Sequence, residues 1–213
     1  MKALIIGATG ATGKDLLNIL LEDDDIHEAH IFVRRGMPKR DKLTTHLIDF
    51  DQTEEWRHLV QGGVLFSCLG TTVKAAGSKE QQWKVDYGYQ YEFAKAARDN
   101  GVENYVLVSA ANASSKSPIF YSRMKGQLEE AIKKLEFRKT IILKPPLLDR
   151  KGSKRGTEVW GVKIISFLNS LGVLKSQSPL STKVLAEAMV NAFKQGKEGI
   201  QYIKQQEIRD WLK

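Results

Sequence analysis

Residues 1–13, MKALIIGATGATG, combine a short apolar strand with three glycines. Gly7 allows the chain to turn sharply off the strand, Gly10 leaves room for a pyrophosphate, and Gly13 allows the next helix to approach the sheet. The helical segment that follows, residues 14–22, directs free backbone N–H groups toward the phosphates. This order predicts a dinucleotide-binding site. The predicted phosphate-binding loop contains Gly7, Thr9, Gly10, Ala11, Thr12 and Gly13.

The composition is that of an ordinary soluble protein, since 42% of the 213 residues are hydrophobic and 27% are charged. The net charge of +8 favours anionic partners, such as a phosphorylated cofactor, nucleic acid or an acidic membrane. Because no basic tail and no membrane-length apolar run accompanies that charge, we expect neither nucleic acid nor a membrane as a partner. The single Cys68 excludes an intrachain disulfide, and a strand at residue 2 argues against a signal peptide. These features predict a cytoplasmic protein.

Strands and helices alternate after the first unit. Predicted strands cover residues 29–33, 45–49, 64–69, 104–109, 140–144 and 199–203, and predicted helices cover 79–100, 119–135, 181–193 and 205–212. This alternation is typical of an α/β protein with a doubly wound parallel sheet, the Rossmann fold. Between residues 147 and 179 it lapses into a basic loop, 150–156, and a predicted helix, 158–171. We expect one domain over residues 1–213, in which 147–180 and the C-terminal helices form a small substrate-side cap.

The end of the second strand indicates which dinucleotide is bound. NAD-selective folds place an acidic residue there, about 20 positions after the glycines. This chain has Arg34 and Arg35 instead, and guanidinium groups pair well with phosphate oxygens. The pattern favours NADP(H) over NAD(H), with solvated surface charge as the alternative.

Further cofactor contacts are predicted from the ends of the other strands. Asp49 and Phe50 are candidates for the adenine side, with a turn carboxylate and a buried phenylalanine as the alternative. A tight turn after strand four lies beside the expected cofactor. The remaining predicted contacts are Leu69, Gly70, Thr71, Lys125 and Pro145.

Tyr121 and Lys125 are the candidate catalytic pair, because spacing of four residues puts both on one face of a helix. The ammonium favours the phenolate form of the tyrosine. Ser109, at the carboxyl end of strand five, is expected to hydrogen-bond a substrate oxygen. Tyr91 and Lys95 have the same spacing but follow a strand that ends without such a serine.

The glycines, Ser109, Tyr121 and Lys125 resemble those of an extended or atypical short-chain dehydrogenase/reductase. Residues 66–72, 84–86, 121–126 and 143–150 more narrowly resemble the Tat-interacting oxidoreductase family. The resemblance implies an NADPH-binding Rossmann domain with a Ser-Tyr-Lys site and a small cap. Lys144-Pro145-Pro146 departs from the arginine-proline-glycine usual there, and Pro146 lacks the N–H that a glycine offers on the nicotinamide side.

The leading hypothesis is an NADPH-dependent oxidoreductase acting on a small carbonyl or alcohol. A regulatory protein that binds NADP(H) without turnover and a nucleotide-sugar epimerase or dehydratase are the alternatives. We expect Cys68 to be a buried structural thiol. We expect no metal, since His27 and His30 lack a clear third ligand. The sequence indicates neither the substrate nor the oligomeric state.

Overall fold

A parallel sheet forms the centre of the protein, of which the computed structural model describes residues 1–146, 148–149 and 180–212. Across the sheet, β1 pairs with both β2 and β4, so that the winding reverses between β1 and β4. The order is β3-β2-β1-β4-β5-β6-β9 and every neighbouring pair is parallel, as predicted for a doubly wound fold. The strands are β1 (Lys2–Ile6), β2 (Glu28–Val33), β3 (Leu43–Leu47), β4 (Val64–Ser67), β5 (Asn104–Val108), β6 (Lys139–Lys144), β7 (Leu148–Asp149), β8 (Leu180–Ser181) and β9 (Gly199–Lys204).

The two faces of the sheet are covered by different helices. On β1, Ala3 and Ile5 join the core under α1 and α7, and Leu4 and Ile6 join the core under α5 and α6. Period-two alternation thus fills both cores from one strand. The helices are α1 (Ala11–Glu22), α2 (Thr53–Trp56), α3 (Val73–Ala76), α4 (Lys79–Trp83), α5 (Gln90–Asp99), α6 (Phe120–Lys133) and α7 (Thr182–Gln195).

The helical stretch predicted over residues 79–100 contains a π-helical turn, Lys84–Tyr89, between α4 and α5. Asp86 and Gln90 both face inward from this turn, and neither has any exposed surface. Ser67 donates to Gln90 Oε1 at 2.7 Å, and Gln90 Nε2 donates to the Asp86 carbonyl at 2.6 Å. These side-chain bonds satisfy polar groups that the buried position removes from water.

Other predicted boundaries differ from the structure where pairing decides them. β3 spans Leu43–Leu47 rather than residues 45–49, because its register with β2 ends at Val33 opposite Leu47. The last predicted helix is a five-residue 3₁₀ helix, Ile208–Leu212. Ser181 caps α7 as predicted, accepting from the Val184 N–H at 3.2 Å.

Of the predicted cap, residue 147 and residues 150–179 lie outside the described residues, and with them the basic loop 150–156 and the predicted helix 158–171. The C-terminal helices that the prediction also assigned to the cap are described, and α7 packs in the same core as α1. The described ends of segment 147–180, β7 and β8, pair in parallel as a small second sheet. In the part of the chain that the structure describes, none of the helices has the length and apolar composition needed to cross a membrane.

Gly126 allows α6 to pack against the loop between β5 and α6. A Cβ at Gly126 would lie 2.6 Å from Ser114 Cα. We expect Gly126→Ala to lower the free energy of unfolding by about 1–3 kcal/mol, although alanine is the better helix former. Chemical denaturation measures the change. Gly88→Ala is the control, since a Cβ there meets nothing within 4 Å, and it should be neutral or stabilising. Equal effects of the two variants would contradict this packing.

Candidate functional site

The carboxyl ends of the central strands meet at one edge of the sheet. Ile6 is in register with Phe32 on β2 and with Ser67 on β4, and Leu107 pairs with Ser67 and with Ile142. The residues that follow these strands therefore lie side by side. The predicted site residues at this edge are Gly7, Arg34, Arg35, Leu69, Gly70, Ser109 and Pro145.

The turn after β1 depends on close backbone contact. Gly7 has φ +83°, and a Cβ on it would lie 2.5 Å from the carbonyl carbon of Cys68. A Cβ on Gly13 would lie 2.8 Å from the Gly7 carbonyl carbon. Side chains at these two positions would push the first helix and the end of β4 away from the turn.

The outer side of the same turn is open. A Cβ on Gly10 would have only the Gly7 oxygen within 4 Å, at 3.2 Å, and Thr9, Gly10 and Ala11 are exposed. α1 begins at Ala11 without a side-chain cap, so its first N–H groups are available to a ligand. Thr12 is buried. This cradle fits the pyrophosphate of a dinucleotide.

The turn after β4 is held from inside the protein. The Thr71 N–H donates to Asp86 Oδ1 at 2.7 Å, and Gln82 Nε2 donates to the Thr71 carbonyl at 3.1 Å. Gly70 remains exposed beside the glycine turn. Sequence reasoning missed Asp86 and Gln82 as supports, although a carboxylate within the predicted helix 79–100 is the kind of signal that marks a buried polar contact.

The residues predicted for the adenosine half differ in what surrounds them. Arg34 and Arg35 are exposed just beyond β2, and within the described residues neither makes a hydrogen bond or an ion pair. Residues 34–40, which the structure describes directly after β2, include no carboxylate. Asp49 accepts from the Asp51 N–H at 2.9 Å, and Phe50 is buried against Phe93. Asp49 is thus a turn carboxylate and Phe50 a buried phenylalanine, as in the alternative to adenine binding. Contact of either residue with adenine stays a prediction.

The three candidate catalytic residues lie close in the fold without forming one hydrogen-bonded chain. Lys125 is 2% exposed and donates to the Val108 carbonyl at 3.4 Å, immediately before Ser109. Tyr121 is 41% exposed, one turn earlier on α6. Among the described residues, no hydrogen bond joins Tyr121 to Ser109 or Lys125.

Ser109 is bonded to a residue that sequence reasoning missed. Its Oγ donates to Glu129 Oε1, and Glu129 is 4% exposed. Lys144 binds the other carboxylate oxygen at 3.0 Å and the Ala113 carbonyl at 3.0 Å. The signal was present, because Glu129 follows Lys125 by four residues and so continues the Tyr121 face of α6.

Residues set aside by the sequence analysis have other roles here. Burial raises the pKa of Cys68 to about 12, partly offset by Lys125, so the thiol is a poor nucleophile. His30 bonds to His46 at 2.9 Å rather than approaching His27, and the described residues contain no group of three or more potential metal ligands. Lys95 pairs with Asp99 at 2.7 Å, so its ammonium is engaged by a carboxylate one turn later on α5.

Pro146 does not disturb the backbone at the end of β6. The Pro145 carbonyl accepts from the Ala111 N–H at 3.0 Å and Pro145 is buried. This bond joins the loop after β5 to the end of β6. The bond uses the carbonyl of Pro145 and does not need an N–H from residue 146.

Proteins of related sequence occur in fungi. The chain is 34% identical over 211 residues to "Protein FMP52-1, mitochondrial" of Scheffersomyces stipitis, covering 94% of this chain and 93% of that protein. It is 36% identical over 206 residues to "Protein fmp52-1, mitochondrial" of Aspergillus terreus, covering 92% and 88%. These names overturn the cytoplasmic prediction. That prediction was wrong because it rested on a single cysteine and on a strand near residue 2, and both bear on secretion without distinguishing the cytoplasm from an organelle.

Solved structures share the fold at low identity. The Bordetella bronchiseptica enzyme WbmH in complex with NAD⁺ has a TM-score of 0.69 at 17% identity, over 95% of this chain and 75% of that one. UDP-glucose 4-epimerase of Thermotoga maritima has a TM-score of 0.69 at 12% identity, over 96% and 76%. The NAD(P)H-binding family model matches residues 7–195. The chain therefore belongs to the NAD(P)H-binding family.

Proposed function

We propose that the protein is an NADPH-dependent oxidoreductase that acts on a small carbonyl or alcohol. The observation that supports this most is the arrangement on α6, where a buried Lys125 lies beneath the end of β5 and an exposed Tyr121 lies one turn before it. A buried ammonium next to an accessible phenol is suited to proton transfer at the surface of a cofactor site.

The cofactor is held by backbone on one side and by charge on the other. The turn at Gly7 and the N-terminus of α1 receive the pyrophosphate, and the turn at Gly70 lies beside it. Arg34 and Arg35 bind the 2′-phosphate that distinguishes NADPH from NADH, since their guanidinium groups are exposed and unengaged within the described residues. Bound NADPH supplies the hydride.

The side chains of α6 and β5 manage the proton. Tyr121 donates its phenolic proton to the substrate oxygen as that oxygen gains charge. Lys125 places a positive charge beneath the site, where negative charge develops during the transfer. Ser109 fixes the substrate oxygen at the end of β5.

Cofactor selectivity depends on Arg34 and Arg35 in this proposal. The double variant Arg34→Ala/Arg35→Ala should raise the Kd for NADPH by about ten- to hundredfold, because charge-assisted hydrogen bonds to the 2′-phosphate are lost. Affinity for NADH should not change. Isothermal titration calorimetry with both nucleotides measures this.

Arg40→Ala is the matched control, because Arg40 belongs to the same basic segment but donates to Asn18 at 2.6 Å. It should leave both affinities as they are. Equal binding of NADPH and NADH by the unmodified protein would contradict the assignment of the two arginines, and binding of neither would contradict the oxidoreductase.

Catalysis depends on the phenol of Tyr121 in this proposal. Tyr121→Phe should lower kcat for NADPH oxidation with a carbonyl substrate by about 10²–10⁴, because the proton donor is removed, while the Kd for NADPH is unchanged. A panel of aldehydes and ketones, followed by the absorbance of NADPH, supplies the assay. Tyr91→Phe, the equally spaced tyrosine of α5, should behave as the unmodified protein.

Retention of turnover in Tyr121→Phe would remove this residue from the mechanism. Tight NADPH binding without turnover of any panel member would instead support a regulatory protein that senses NADP(H).

A further inference from the structure

Glu129, which is buried, and Lys144, which is partly buried, form an ion pair behind Ser109. The distance from Lys144 Nζ to Glu129 Oε2 is 3.0 Å. The side chain of Lys144 is 16% exposed and that of Glu129 is 6% exposed. Lys144 also contacts the Ala113 carbonyl and lies 5.6 Å from the centre of the Tyr202 ring. A carboxyl group that pairs with an ammonium at this distance does so in its ionised form, because the charge-assisted hydrogen bond requires the carboxylate.

The ionised carboxylate sets the direction of the Ser109 hydrogen bond. Glu129 accepts at both oxygens, from Ser109 at one and from Lys144 at the other. An ionised carboxylate can only accept hydrogen bonds, so Ser109 must donate its single hydroxyl hydrogen to Glu129. What Ser109 has left for a ligand is a pair of oxygen lone pairs.

We propose that Glu129, fixed by Lys144, is a positioning residue that makes Ser109 a hydrogen-bond acceptor toward the substrate, so that the site prefers the alcohol over the carbonyl form of its ligand. This inference rests on the proposed oxidoreductase function. It names the ligand group that the site recognises, a hydroxyl that donates to Ser109, and it assigns the catalytic proton to Tyr121 alone.

Glu129→Gln tests the direction of the hydrogen bond between Ser109 and residue 129, because the substitution reverses which of the two groups donates. Lys144 is a donor only, so it selects the amide oxygen of the glutamine and turns the amide NH₂ toward Ser109. Ser109 then accepts from Gln and its hydroxyl hydrogen is released toward the ligand. A loss of packing alone would weaken alcohol and ketone binding together, whereas an inversion moves them in opposite directions.

The ligand experiment uses cyclohexanol with NADPH and cyclohexanone with NADP⁺, two ternary complexes that cannot react. We expect the unmodified protein to bind cyclohexanol more tightly, and Glu129→Gln to shift the ratio of the two dissociation constants toward cyclohexanone by about tenfold. Ser109→Ala should abolish the preference. Glu130→Gln is the matched control, since Glu130 is exposed and pairs with Lys133, and it should keep the preference of the unmodified protein. An unchanged ratio in Glu129→Gln would overturn the proposal.

A second readout needs no substrate. The infrared difference spectrum between the unmodified protein and Glu129→Gln should show loss of a carboxylate stretch and no loss of a protonated carboxyl band. Loss of the protonated band would overturn the proposal, because Glu129 would then donate to Ser109. Failure of both cyclohexanol and cyclohexanone to bind would count against the proposed oxidoreductase function. The infrared result decides the direction of the Ser109–Glu129 hydrogen bond independently of either ligand. Should Glu129→Gln fail to fold, loss of the cyclohexanol preference in Ser109→Ala supports the proposal and its retention overturns it.

Discussion

The close approach of three backbone segments at Gly7 is the constraint on which the site depends. The turn after β1 touches the end of β4 on one side and the first turn of α1 on the other, with no space for a Cβ at Gly7 or Gly13. Because this contact is made by backbone, it fixes the N-terminus of α1 and the turn after β4 relative to each other. The cradle for the phosphates and the neighbouring turn are therefore set by one contact.

Polar side chains beneath the loops at this edge of the sheet hold those loops in place. Asp86, on its π-helical turn, holds the Thr71 N–H, and the Glu129–Lys144 pair holds Ser109 and Ala113. Buried charges of this kind are costly unless every donor and acceptor is matched, and a matched network permits one arrangement of the loops. The site is thus built from rigid strand ends whose loops are tied down from behind, which suits a surface that must place a cofactor and a substrate oxygen together.

Local signals were enough to predict the fold. The glycines, the alternation of elements and the Ser181 cap were sufficient for the doubly wound sheet, because each acts within a few residues of itself. β3 was placed two residues late because its ends are set by pairing with β2. Glu129 was missed because its role comes from Lys144 and Ser109, which the sheet brings together across 15 and 20 residues. Asp49 binds the Asp51 N–H within a turn and Phe50 packs against Phe93, and both contacts are made within the protein itself.

Hydrogen–deuterium exchange with and without NADPH tests most directly whether this edge is the cofactor site. We expect protection of peptides covering residues 7–14, 34–35 and 69–72, because the first and third segments lie beside the pyrophosphate and the side chains of Arg34 and Arg35 hold the 2′-phosphate over the second. NADH should protect the first and third segments and leave the second unchanged. Protection confined to other parts of the chain, or none at saturating NADPH, would contradict the assignment of this edge.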